Sequence, residues 1–149
     1  MLEVLLILVL PLLAFVIQMF FGRRLPRGGD WVSLLAIGIA FLLSLRYFAQ
    51  AFSAFDPNYI ALHERFTWID LSVVQITVGV LIDNITVLML MVVTVVSGLV
   101  HLYSVGYMHG DPRYARFFGF LSIFSFSMLG LVLVDNFLLL FVFWELVGL

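Results

Sequence analysis

The sequence predicts an all-α membrane protein: a polytopic transmembrane helix bundle of four full spans and part of a fifth, with a small extramembrane β-hairpin. Three observations predict it. Of the 149 residues, 64% are hydrophobic and 11% charged, whereas a soluble domain carries about 25% charge to cover its surface. The apolar residues come in blocks of about 20, the length of a helix that crosses a hydrocarbon core roughly 30 Å thick. Between the second and third blocks the pattern changes to an alternation of period two. Cysteine is absent, which excludes thiolate-ligated metal, iron–sulfur and disulfide chemistry in this chain. All seven basic residues are arginine, in no cluster large enough to track a nucleic-acid backbone.

The first span runs from Leu2 to Phe21. Glu3 lies near its start, and Arg23, Arg24 and Arg27 follow it. That order is the reverse of a cleaved signal and marks a retained helix. Pro11 can kink it, which a helix in a bundle tolerates. A compact loop, Gly22 to Asp30, leads to the second span at 31–52, with Trp31 as an interfacial anchor and Arg46 placed to snorkel at the far end. Asp56 to Val80 is the most polar stretch. Phe66 and Trp68, then Val74, Ile76, Val78 and Val80, alternate with polar or small residues. They predict two strands joined near Asp70-Leu71-Ser72, a hairpin over about 64–80. A lone hairpin is marginal in water, so this one must pack on a helix end or a partner.

The third span covers 83–107, with Asp83 suited to cap its start. After the loop His109 to Arg113 comes the fourth, 116–134, in which Ser122, Ser125, Ser127 and Gly130 suit close helix packing. Asp135 and Asn136 turn the chain into a fifth helix, 136–149, too short to cross, and Asp135 also reads as a cap. The chain forms a single transmembrane domain, 1–149, and half a helix carrying a buried acid reads as a piece of a larger protein. Arg23, Arg24, Arg27, Arg113 and Arg116 fall on one side, against Arg46 and Arg65 on the other. The positive-inside rule then puts the N-terminus and the hairpin outside a bacterial inner (plasma) membrane, with a mitochondrial or chloroplast membrane as the lesser alternative.

Glu145 is the leading candidate for function. It lies about 9 residues, roughly 13 Å, along the fifth helix, close to the membrane midplane. A charge there costs at least about 2.5 kcal/mol, and such residues usually face the protein interior and serve transport. Moving a partner charge toward or away from a buried carboxylate can load or release its proton. The bland reading is an acid satisfied by a carbonyl or serine. His101 lies about 17 residues, roughly 25 Å, beyond Asn84, near the arginine-rich end of the third span. Histidine titrates near neutrality and can relay protons; the bland reading is a helix-end histidine bonded to backbone. His63 and His109 read as loop residues with no ligand set, Arg113 and Arg116 as topology determinants and lipid contacts, and Met89, Met91 and Thr94 as packing. No phosphate loop, dinucleotide fingerprint or His/Cys metal spacing occurs.

Three stretches together resemble one family. They are Gly79-Val80-Leu81-Ile82-Asp83-Asn84-Ile85-Thr86, the run from His101-Leu102-Tyr103-Ser104 through Gly106-Tyr107-Met108 to Arg113-Tyr114-Ala115-Arg116-Phe117-Phe118, and Leu133-Val134-Asp135-Asn136-Phe137-Leu138 ending in Trp144-Glu145-Leu146-Val147-Gly148-Leu149. The chain resembles the N-terminal portion of the NuoL-type, antiporter-like subunit of respiratory complex I, with relatives in Mrp sodium/proton antiporters and membrane-bound hydrogenases. The resemblance implies a larger bundle built from inverted repeats. It implies a proton-translocating membrane-arm subunit of NADH:quinone oxidoreductase, a translocase with no redox centre or bound cofactor in this chain. NADH, FMN, iron–sulfur clusters and quinone would belong to partner subunits. The implied partners are other membrane-arm subunits, especially a neighbouring antiporter-like subunit, and membrane lipids, with no nucleic acid. It also implies that Glu145 matches the family's fifth-helix glutamate, which pairs with a lysine on a later helix; this chain has no lysine. The alternatives are an Mrp-type cation/proton antiporter subunit and a purely structural docking fragment.

Overall fold

Leu2–Phe21 forms helix α1, Asp30–Ser53 α2, Asn84–Tyr107 α3, Tyr114–Leu133 α4 and Phe137–Gly148 α5, with strands β1 at Ile60–Asp70 and β2 at Gln75–Asp83 between α2 and α3. This computed structural model describes residues 1–22, 24–53, 59–70 and 75–149. Arg23, Asp56, Leu71, Ser72 and Val74, named in the sequence reading, lie outside the described residues. The first four helices are long and apolar enough to cross a membrane, and α5 is shorter at 12 residues. Helix boundaries fall within about two residues of those expected from sequence.

Antiparallel helices alternate between two ends of the molecule. One end carries the hairpin; the other carries the arginine-rich loops. The α1–α2 connection is a tight 3-10 turn, Pro26–Gly29, in which Gly28 and Gly29 take φ of 69° and 79°, conformations that a side chain would strain. α1 packs on α2 and α4, α3 packs on α2 and α4, and α5 lies outside this ring, mainly against α4. Pro11 is accommodated inside an unbroken, buried stretch of α1. Arg46 does more than snorkel: its guanidinium pairs with Glu3, joining the end of α2 to the start of α1.

The hairpin is longer than the alternation suggested, reaching from Ile60 to Asp83 and running directly into α3. Asp83 caps α3 by accepting from the Thr86 amide at 2.8 Å, as expected. Asp135 does not cap α5. Asn136 does, accepting from the Leu139 amide at 2.8 Å. Two acidic or amide residues precede α5, and only the second lies where its oxygen reaches the first free N–H groups. Asp135 instead points into the hairpin, where it pairs with Arg65 and lies 3.4 Å from His63. His63 is therefore a strand residue facing a carboxylate, and not an unassigned loop residue. A backbone bridge between Val80 and Val134, and a bond from the Asn136 amide group to the Thr77 carbonyl, complete the seam between the α4–α5 turn and β2.

Candidate functional site: a polar half-bundle and an isolated carboxylate

Buried positions near the hairpin are mainly apolar, among them Val4, Ile7, Val87, Leu90, Leu129 and Leu133, with Ser44, Thr86 and Ser127 as buried hydroxyls between them. Toward the arginine-rich end buried polar residues are more frequent: Gln18, Asp30, Ser33, Ser97, His101, Ser104, Ser122 and Ser125, beside the apolar Ala36, Ala115 and Phe118. In hydrocarbon a polar side chain must find a partner inside the protein, and three of these serines find one in their own helix. Ser122, Ser125 and Ser104 donate to the carbonyls four residues back, on Phe118, Leu121 and Val100. Their oxygens remain available across the helix interface. Ser122 meets Ser33 of α2 at 2.7 Å, and Ser125 meets Ser97 of α3 at 2.5 Å. Thus α4 presents one hydroxyl to α2 and another to α3, three residues apart in its sequence.

His101 sits beside the Ser97–Ser125 pair. It is 1% exposed, and its Nδ1 lies 2.8 Å from the Ser97 carbonyl and 3.5 Å from the Ser97 hydroxyl. A carbonyl only accepts, so Nδ1 holds a proton, and when the ring is neutral its acceptor is Nε2. The ring rests against Phe118, 6.2 Å between centroids, and Phe118 in turn contacts Tyr114 at 4.9 Å. The histidine is bonded to backbone, and the Ser97–Ser125 hydroxyl pair lies beside it.

Beyond Phe118 the chain opens. A cavity of about 360 Å³ at the arginine-rich end is lined by Arg27, Gly28, Asp30, Val105, His109, Gly110 and Tyr114. Val105 is one helical turn past His101, so the cavity floor and the imidazole share one stretch of α3. Asp30 is 1% exposed and accepts from the Trp31 amide at 2.7 Å and the Tyr114 hydroxyl at 2.9 Å, with Arg27 at 3.5 Å. Sequence reading missed Asp30 and Gln18. Asp30 opens a helix beside arginines and passed for a loop residue, and nothing local marks Gln18, whose amide donates to the Gly29 carbonyl at 2.8 Å.

Glu145 is elsewhere. α5 meets α4 through Phe143, whose ring fills the space that a side chain at Gly130 would occupy and lies 5.5 Å from Phe126. Glu145 is on the exposed surface of α5, beside the exposed Phe141 and Trp144, and its carboxylate has no hydrogen bond or ion pair among the described residues. His101 and Glu145 are not brought together: one is buried among α3 and α4, the other faces away from the bundle. Among the described residues no group of three His, Cys, Asp or Glu could hold a metal ion.

These features define a multi-pass membrane protein whose helices meet through buried hydroxyls. Known proteins then narrow the class. Residues 68–118 match the family model described as NADH-Ubiquinone oxidoreductase (complex I), chain 5 N-terminus. The NADH-ubiquinone oxidoreductase chain 5 of Cryphonectria parasitica is 41% identical over 143 residues, 95% of this chain and 21% of its own length. That of Marchantia polymorpha is 42% identical over 146 residues, 97% and 21%. The NADH-quinone oxidoreductase subunit L of Neisseria meningitidis (serogroup A / serotype 4A) is 38% identical over 152 residues, 97% and 22%. A chain of the membrane-bound sulfane sulfur reductase, an archaeal respiratory membrane complex, shares the fold with a TM-score of 0.76 over 97% of this chain and 28% of its own, at 16% identity. The resemblance to the N-terminal portion of NuoL-type, antiporter-like subunits thus holds along nearly the whole chain. The chain spans about a fifth of the length of the curated relatives it matches.

Proposed function

We propose that this chain is the N-terminal part of a proton-translocating membrane-arm subunit of respiratory complex I, in which redox chemistry in partner subunits drives proton transfer across the membrane. The observation that carries this reading is the similarity over 95% or more of the chain to relatives named as chain 5 or subunit L of NADH:quinone oxidoreductase. The interior supports it: the Ser97 and Ser125 hydroxyls lie beside the buried His101 imidazole, so a titratable ring and two groups that can donate or accept meet in a low-dielectric interior. In this reading His101 is a relay and Glu145 a proton-loading site. Glu145 acquires its charge partner from segments outside this chain, since a lone carboxylate on an apolar helix is costly in hydrocarbon. NADH, FMN, iron–sulfur clusters and quinone are bound by partner subunits, a neighbouring antiporter-like subunit covers part of the exposed apolar surface, and lipid covers the rest. The membrane is a bacterial inner membrane with the hairpin end outside.

The test is Glu145→Gln in the assembled complex, in sealed vesicles, following quinone reduction and proton uptake together. Proton uptake per electron is expected to fall while the complex still assembles; unchanged uptake would exclude the role. A sodium dependence of transport that survives removal of the electron donor would instead identify a cation/proton antiporter.

A further inference from the structure

Three residues of the hairpin together form a socket for one carboxylate. His63 and Arg65 are two apart on β1 and so project from one face, and Arg65 stands directly across from Gly79 of β2. Asp135 enters from the α4–α5 turn. Its side chain is 1% exposed, its Oδ2 faces both Arg65 and His63, and its carboxylate occupies the space where a Cβ on Gly79 would be. Arg65 and His63 themselves are 53% and 38% exposed, so the cations sit at the rim and the carboxylate at the bottom. The next residue, Asn136, caps α5 with its carbonyl oxygen and bonds β2 with its amide nitrogen. The hairpin therefore grips both residues that precede α5, while α5 otherwise meets mainly α4.

We propose that Asp135, seated in the His63–Arg65–Gly79 socket, is a positioning residue for Glu145: the hairpin fixes where α5 starts, and with it the depth and facing of the carboxylate. The inference rests on the proton-loading role given to Glu145. A helix rises about 1.5 Å and turns about 100° per residue, so a slip of one residue at its start turns Glu145 toward a different neighbour. Displacements of about 1 Å in groups that must meet cost up to about 100-fold in rate.

The test uses the whole subunit in its assembled complex, with two readouts. One is protons moved per electron. The other is the rate at which a hydrophobic carbodiimide modifies Glu145, read by peptide mass spectrometry, which reports on the surroundings of the carboxylate whether or not it carries protons. Arg65→Ala is expected to change the modification rate about tenfold and to lower the proton ratio, and Arg65→Lys to restore both toward wild type. Gly79→Ala keeps every charge but fills the socket, and is expected to act like Arg65→Ala. Wild-type values of both readouts in assembled Arg65→Ala and Gly79→Ala would overturn the proposal, as would an Arg65→Lys variant no better than Arg65→Ala. If Glu145→Gln leaves pumping intact while the modification rate still responds to these variants, the positioning stands and the loading role falls.

Discussion

Ser125 donates to the Leu121 carbonyl and also meets Ser97 across the α3–α4 interface. Only the second contact joins two helices. Ser125→Ala is expected to lower bundle stability by about 0.6 kcal/mol, the mean for a hydrogen bond between membrane helices, measured by unfolding in mixed micelles. A similar change at Ser127, which is bonded to Ile123 alone in its own helix, should have a smaller effect. For His101 the expected result is functional: His101→Ala should slow proton transfer without dissociating the complex, and an unchanged rate would remove it from the relay. At this scale the sequence was legible where chemistry and depth coincide. Glu145 and His101 stand out because an ionisable group in an apolar run needs a reason. The Arg65–Asp135 pair did not stand out. Its partners are 70 residues apart, and their meeting depends on how a hairpin leans on a helix turn, which no local pattern encodes.

The elements themselves were largely written in the periodicity. Blocks of about 20 apolar residues can satisfy their backbone in lipid only as helices, so their identity was never in competition with strand. Asp83 before α3 behaved as an N-cap should, and Asp83→Ala is expected to cost about 1 kcal/mol in thermal unfolding of the purified protein. Asp135 and Asn136 misled because either can cap and only the geometry of the turn decides which one does. The hairpin boundaries were underestimated because Ile60 to His63 carries no clear alternation of its own; pairing with the apolar Leu81–Asp83 segment extends it. At the α4–α5 contact, Gly130→Leu is expected to push the Phe143 ring away, destabilise by about 1–3 kcal/mol and detach α5, seen as faster proteolysis after residue 134.

For the molecule as a whole, the pairing of serines between helices was not legible from sequence. Ser122 and Ser125 read only as packing positions of the fourth span; their partners Ser33 and Ser97 are found only when the helices lie side by side. Orientation is a property of the whole chain too. The arginines of the α1–α2 and α3–α4 loops predict that a cysteine introduced at His109 is labelled by an impermeant maleimide only from the cytoplasmic side, and one at Phe66 only from the opposite side. Labelling of His109→Cys from outside intact cells would reverse the assignment. Since His101 lies toward the arginine-rich end of α3, the same experiment decides which compartment that end faces.

α5 is anchored firmly at its hairpin end and rests on one neighbour for the remainder of its 12 residues. Mechanically it is a lever with its fulcrum at Asp135-Asn136. Glu145 sits about 14 Å out along the arm, so a tilt of about 10° at the fulcrum moves the carboxylate by about 2 Å. That distance is enough to make or break a hydrogen bond. A force applied to the hairpin, outside the bilayer, would therefore reach the middle of the membrane as a change in what Glu145 can touch.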